Sequence, residues 1–155
     1  MMSLLLFAIL LGSSLAQQAP VDNNCTDAQL KYDATAVNCE DKLSGTECEN
    51  IFGKTKAEVG KDAKDREAKC FLTADKKQTS DQVKRFAILV CPKTCGFCCQ
   101  TPEYNCENNH DARIDCSRVT TDMCKDSLWK PILSKDCPKT CGLCLEGVVR
   151  MATFV

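Results

Sequence analysis

Cys91-Pro92-Lys93-Thr94-Cys95-Gly96-Phe97-Cys98 recurs in the same chain as Cys137-Pro138-Lys139-Thr140-Cys141-Gly142-Leu143-Cys144, identical at seven of eight positions. Two copies of one cysteine-rich peptide signal an internal repeat. The cysteines upstream of each copy set its extent. Cys25, Cys39, Cys48, Cys70, Cys91, Cys95, Cys98 and Cys99 form a first group; Cys106, Cys116, Cys124, Cys137, Cys141 and Cys144 form a second. The groups open on Asn24-Cys25 and Asn105-Cys106, so the repeat is expected to span 25–99 and 106–144. Only Gln100 to Asn105 separates the modules. Pro102 stiffens that connection, and the two modules are expected to sit close together.

The compartment follows from the N-terminus and from sulfur. Leu4 to Leu11 is an apolar run of eight residues, too short to cross a bilayer. Ser14-Leu15-Ala16 then places small residues where a signal peptidase cuts, which predicts a signal peptide over residues 1–16; the alternative is a buried N-terminal helix. All 14 cysteines lie beyond Ala16. About one residue in ten is then cysteine, the density of an exported disulfide scaffold. The even number lets every thiol pair. Aromatic residues are few, so a thin core braced by cross-links is expected. With 20 Lys and Arg against 21 Asp and Glu, a net charge of −1 gives no field to gather nucleic acid or anionic membrane. No second long apolar run exists, so no membrane span is expected.

The predicted fold class is small and disulfide-rich, with short α-helices and loops and little or no β-sheet. Thr79-Ser80-Asp81-Gln82 reads as a capping box. Val83, Phe86, Ala87 and Val90 then recur at helical spacing, predicting an amphipathic helix running into Cys91. In the second module Thr120 or Thr121 can cap a helix reaching about Trp129. Pro131 breaks it and opens another turn, with Ile132 and Leu133 as its apolar side. Lys54 to Lys69 is rich in charge and reads as a solvated helix or loop, with Lys61 and Asp65 as an i, i+4 pair.

The peptide C-P-K-T-C-G-x-C, with three spaced cysteines before it, resembles the ShKT domain, the family named for a sea-anemone potassium-channel toxin. The second module fits all six positions from Cys106 to Cys144. The first fits with Cys25, Cys39, Cys48, Cys91, Cys95 and Cys98, and carries 42 residues between Cys48 and Cys91. The resemblance implies bonds from first to sixth, second to fourth and third to fifth cysteine. These are Cys106–Cys144, Cys116–Cys137 and Cys124–Cys141, with Cys25–Cys98, Cys39–Cys91 and Cys48–Cys95 in the first module. Cys70 and Cys99 are left to each other as an extra staple; because Cys98 and Cys99 are adjacent, an exchange of their partners stays open. The resemblance also implies an ion pair between an acid two residues after the first cysteine and the Lys of the terminal peptide. Asp27 and Lys93 match it. In the second module Asn108 stands at the acid position, leaving Lys139 to Asp111 or another partner.

The toxin resemblance further implies a pore-plugging Lys followed directly by an aromatic residue, five and six positions after the third cysteine. A compact ammonium suits a carbonyl-lined filter. Trp129 and Lys130 occupy these positions in the second module, in reversed order; Gly53 and Lys54 occupy them in the first, behind Phe52. The other reading of Trp129 is the main core residue of its module, with Lys130 merely solvated.

Catalysis finds little support. Cys95-Gly-Phe-Cys98 and Cys141-Gly-Leu-Cys144 are C-x-x-C pairs, but no strand-to-helix setting of a redox enzyme surrounds them. The single His, His110, lies in a polar Asn-Asn-His-Asp loop without a nucleophile pattern or a zinc set. No enzyme, no cofactor and no metal are therefore expected. Asn24-Cys25-Thr26 is the one glycosylation sequon, so Asn24 is a glycosylation candidate. Residues 145–155 form a short, mildly apolar C-terminal tail. The expected role is non-catalytic binding of an extracellular protein or an ion channel, specifically modulation of a voltage-gated potassium channel. The rival is a structural or adaptor module of matrix, cuticle or secretions.

Overall fold

Ser44-Gly45-Thr46-Glu47 starts the first helix, α1 (Gly45–Phe52), through a reciprocal capping box: the Glu47 backbone N–H donates to the Ser44 hydroxyl, and the Ser44 N–H to the Glu47 carboxylate. The computed structural model describes residues 20–145; the expected signal peptide and the tail beyond Leu145 lie outside them. In the first module α1 is followed by α2 (Asp81–Val90). Ser80 caps α2 by accepting the Val83 N–H, as a helix start requires. The helix predicted into Cys91 is present, but Phe86 stays half exposed while Ala87 is buried.

The second module contains α3 (Thr121–Lys125), α4 (Lys130–Asp136) and α5 (Pro138–Cys141). The helix expected to reach Trp129 ends instead at Lys125. There Asp126 leaves the helical path and turns its carboxylate onto the N–H groups of Leu128 and Trp129. Pro131 sits in the first turn of α4, where a missing N–H costs nothing. Short 3₁₀ turns make up the other helical pieces. Among the described residues, extended pairing is confined to three isolated bridges, Thr26 with Tyr32, Lys31 with Asp62 and Leu72 with Thr79.

Sulfur lines the interior. The first core gathers Phe52, Phe71, Leu72, Ala87 and Phe97 around Cys48, Cys70, Cys91 and Cys95. The second is Leu133 and Leu143 around Cys124, Cys137 and Cys141. A third cluster, Cys25, Tyr32, Ala36 and Ala63, packs the N-terminal arm against the insertion.

The Lys54–Lys69 stretch is not uniformly solvated. Arg66 is 5% exposed, with its guanidinium 4.1 Å from the Phe97 ring centroid and 4.9 Å from that of Tyr32. It donates to the carbonyls of Cys95, Gly96 and Asn24. Burial lowers its pKa, opposed by the nearby Asp22 and Tyr32. Lys61 pairs with Glu58 at 2.8 Å rather than with Asp65.

Every expected bond of the first module is corrected. The pairs are Cys25–Cys99, Cys39–Cys98, Cys48–Cys91 and Cys70–Cys95, not Cys25–Cys98, Cys39–Cys91, Cys48–Cys95 and Cys70–Cys99. The physical reason is a shift of frame. The six-cysteine unit begins at Cys39 and takes Cys70 as its third cysteine. Cys39 to Cys98 then closes first to sixth, second to fourth and third to fifth. Cys25–Cys99 is the added staple, tying the N-terminal arm to the module's end. The second module is joined as Cys106–Cys144, Cys116–Cys137 and Cys124–Cys141.

Candidate functional site

The two terminal peptides begin and end alike, although residues 138–141 form α5 where 92–95 form turns. Cys91 (φ −138°, ψ 53°) ends α2 and Cys137 (φ −130°, ψ 48°) ends α4. Gly96 and Gly142 then adopt left-handed φ of 68° and 66°, conformations that glycine enters without steric cost. Each glycine also carries a tyrosine ring. A methyl group at Gly96 would lie 2.9 Å from Tyr32, and one at Gly142 would lie 2.7 Å from Tyr104. The two tyrosines of the chain thus cover the two equivalent glycines.

The polar contacts repeat as well. The Asp41 carboxylate accepts from the N–H groups of Lys93 and Thr94 and from the Thr94 hydroxyl. Asn108 accepts from the Thr140 N–H and donates to its hydroxyl. Lys93 Nζ lies 3.1 Å from Glu40, and Lys139 Nζ lies 2.8 Å from Glu107. The lysine partners are therefore the residues directly after Cys39 and Cys106, not Asp27 or Asp111. Asp27 instead accepts N–H groups of its own turn, from Gln29 and Lys31.

Two tandem frames closed in the same cysteine order around short helices define a protein of small disulfide-rich modules. Residues 74–98 and 105–144 match the family model described as ShK domain-like, so two tandem segments of the chain are similar to that family. No curated protein and no solved structure gives a match.

On this scaffold the first-module candidates come apart. Phe52 is 2% exposed in the first core, so it cannot accompany a presented Lys54. Gly53 ends α1 with φ 129°, and the Glu67 side chain fills the space beside it. Counting from Cys70, the corrected third cysteine, reaches Asp75 and Lys76, with no aromatic residue.

The second-module candidates stay together at the start of α4. Trp129 is 40% exposed and is absent from the second core, so it is not the module's main buried residue; Leu133 takes that place at 0% exposure. Leu128 is 81% exposed beside it. The turn is held firmly: Asp126 accepts the N–H groups of Leu128 and Trp129 through its carboxylate and that of Lys130 through its carbonyl. The N–H groups of Ile132 and Leu133 donate to the Trp129 carbonyl.

The other chemistry-bearing residues are engaged or dispersed. The sulfurs of each C-x-x-C pair are bonded elsewhere, Cys95 to Cys70, Cys98 to Cys39, Cys141 to Cys124 and Cys144 to Cys106. His110 is exposed in its loop. Asn24 is half-buried, its Nδ2 donating to Asp22 at 2.8 Å. Asp22 itself is 9% exposed; burial favours its neutral form, but hydrogen bonds from Lys84 and Asn24 outweigh this and hold its pKa below the ordinary carboxylate value.

Sequence reasoning did not reach the seam between the modules. There the Tyr104 hydroxyl donates to the Asn38 carbonyl at 2.9 Å and the Cys144 N–H to the Glu103 carbonyl at 3.0 Å. Beside the seam lies an open cleft of about 730 Å³. Ile88 and Leu89 of α2, Pro92, Pro102 and Gly142 line it, with Arg85, Lys42 and Glu103 among its charged residues.

Proposed function

We propose that the protein is exported and acts outside the cell as a non-catalytic binding protein, with Leu128, Trp129 and Lys130 as its contact surface and a voltage-gated potassium channel as its target. The exposure of Trp129 carries this reading. A large aromatic ring left outside a core that has few apolar residues is an anchor for a partner, as interface hot spots are. Beside it Lys130, half-buried in the first turn of α4, is a compact cation of the kind a carbonyl-lined filter accepts. The aromatic residue precedes the lysine here, so the pair meets a channel in the order opposite to that of the toxin pattern. The disulfide-held frame keeps the surface preorganised, which limits the entropy lost on binding. The non-catalytic reading is supported by the bonded state of every cysteine in the two C-x-x-C pairs.

Current recordings on a panel of potassium channels test the proposal. The folded protein inhibits at least one current at micromolar concentration. Trp129→Ala and Lys130→Ala each weaken that inhibition by at least about tenfold while leaving the far-UV spectrum intact. Untouched currents across the panel exclude the channel as target and leave a structural or adaptor role.

A further inference from the structure

The chain contains two pairs of adjacent basic residues, Lys76-Lys77 and Lys84-Arg85. The fold treats them differently. Lys84 lies within α2, its ammonium 2.7 Å from the Asp22 carboxylate and 5.3 Å from the Phe97 ring centroid. A protease reads its substrate as extended backbone, and here that means unwinding a helix anchored in the first core. Lys76 and Lys77 instead stand at the tip of an exposed loop. The loop is closed at its base by the Leu72–Thr79 bridge and by the Thr73 N–H donating to the Gln78 carbonyl at 2.9 Å. Within it the Lys76 N–H donates to Thr73, and Lys76 holds a left-handed φ of 58°, which costs a residue bearing a Cβ. Opening this loop breaks six hydrogen bonds, among them those of the Lys77 N–H to the Asp75 carboxylate and the Gln78 N–H to the Thr73 hydroxyl, but all six join residues 73–78 to one another and none ties the loop to a core. Opening also relieves the Lys76 conformation. Such loop tips are where chains are nicked, and cleavage follows the free energy of local opening.

We propose that the Lys77–Gln78 peptide bond is a processing site for a serine endoprotease that reads paired basic residues, and that its cleavage converts the first module into a two-chain unit. Water adds across the bond, leaving a carboxylate on Lys77 and an amino group on Gln78. The disulfides keep the halves together. Cys25, Cys39, Cys48 and Cys70 all precede the cut, and their partners Cys99, Cys98, Cys91 and Cys95 all follow it. All four bonds of the first module therefore cross the nick. The α2 cap survives as well, because Ser80 lies beyond the cut and its N–H still donates to the Phe71 carbonyl at 2.8 Å. The new charges appear on an exposed loop, where water solvates them. The proposal rests on the export reading only for where enzyme and substrate meet; the purified proteins test the bond itself.

The experiment treats the oxidised full chain with a purified subtilisin-type endoprotease specific for paired basic residues. The expected product is one species without reductant, heavier by one water. With reductant it separates into two fragments, one ending at Lys77 and one beginning at Gln78. Lys77→Gln abolishes the cut, and Arg85→Gln leaves it unchanged. An uncut chain, a first cut after Arg85, equal cleavage of Lys77→Gln, or fragments that part without reductant each overturn the proposal.

Discussion

The Tyr104 ring lies against Gly142 of the second module while its hydroxyl donates to Asn38 of the first. Burial pushes its pKa up to about 12, partly offset by the amide side chain of Asn38. A folded-state value above the ordinary one means that the fold favours the neutral phenol. That stabilisation is complete below the ordinary tyrosine value of 10.0 and is lost as pH rises through about 12. A phenolate absorbance titration should therefore show a step near 12 that Tyr104→Phe removes; Tyr104 ionising at its ordinary value contradicts the structure. The same variant forfeits the hydroxyl bond to Asn38, at about 1 kcal/mol. Single residues were the scale least legible from the sequence. Arg66 sits in a stretch where Lys, Asp and Glu surround it, and composition marks such a stretch as solvated. Only the approach of Tyr32 and Phe97 from distant parts of the chain makes one of those cations a core residue. Trp129 is the opposite case: of its two readings the core one fails, because the turn made by Asp126 leaves the ring 40% exposed and outside the second core.

Helices were more legible where a local signal stood alone. The apolar positions of α2 predict that element well, although its cap is Ser80 rather than the Thr79 of the expected capping box, and the reciprocal box stands instead at Ser44-x-x-Glu47 of α1. The cysteine frame was legible in connectivity but not in register. The rule of first to sixth, second to fourth and third to fifth holds in the first module once it starts at Cys39. A sequence mark for this start exists: Asn38-Cys39-Glu40-Asp41 parallels Asn105-Cys106-Glu107-Asn108, whereas Asn24-Cys25 shares only its first two residues. The glutamate in that tetrapeptide is the partner of Lys93 and Lys139, so the parallel has a physical cause. The staple and the frame should respond differently to deletion. Both Cys25–Cys99 and Cys48–Cys91 close long loops, each constraining the unfolded chain by about 4 kcal/mol. Cys48–Cys91, however, joins α1 to the end of α2 within the core, with both cysteines fully buried. The double variant Cys48→Ser with Cys91→Ser should lose the helical far-UV signal of the first module. Cys25→Ser with Cys99→Ser should keep it and free only the N-terminal arm. Equal losses from the two variants contradict the frame described here.

At the scale of the molecule, sulfur serves as both cross-link and core. Three of the five buried residues in the second core are half-cystines, leaving Leu133 and Leu143 as its buried hydrocarbon. A domain's net stability is about 5–15 kcal/mol, and each long loop that a disulfide closes is worth about 4. Reduction under native conditions should consequently unfold both modules, seen as loss of the far-UV helix signal; a reduced chain with an unchanged spectrum refutes this. The tandem, disulfide-rich architecture was readable because cysteine spacing is a one-dimensional record. The seam was not, because it depends on how Tyr104, Asn38 and Gly142 meet in space.

That seam bears on how the protein can be dissected. A fragment trimmed to begin at Asn105, where the family match starts, discards the ring that shelters Gly142 and the carbonyl of Glu103 that receives the Cys144 amide. The excised half would then carry a bare glycine face and an unmet donor that the intact chain never displays. A clean excision belongs upstream, at Thr101, so that the short turn Pro102–Tyr104 travels with the piece it roofs.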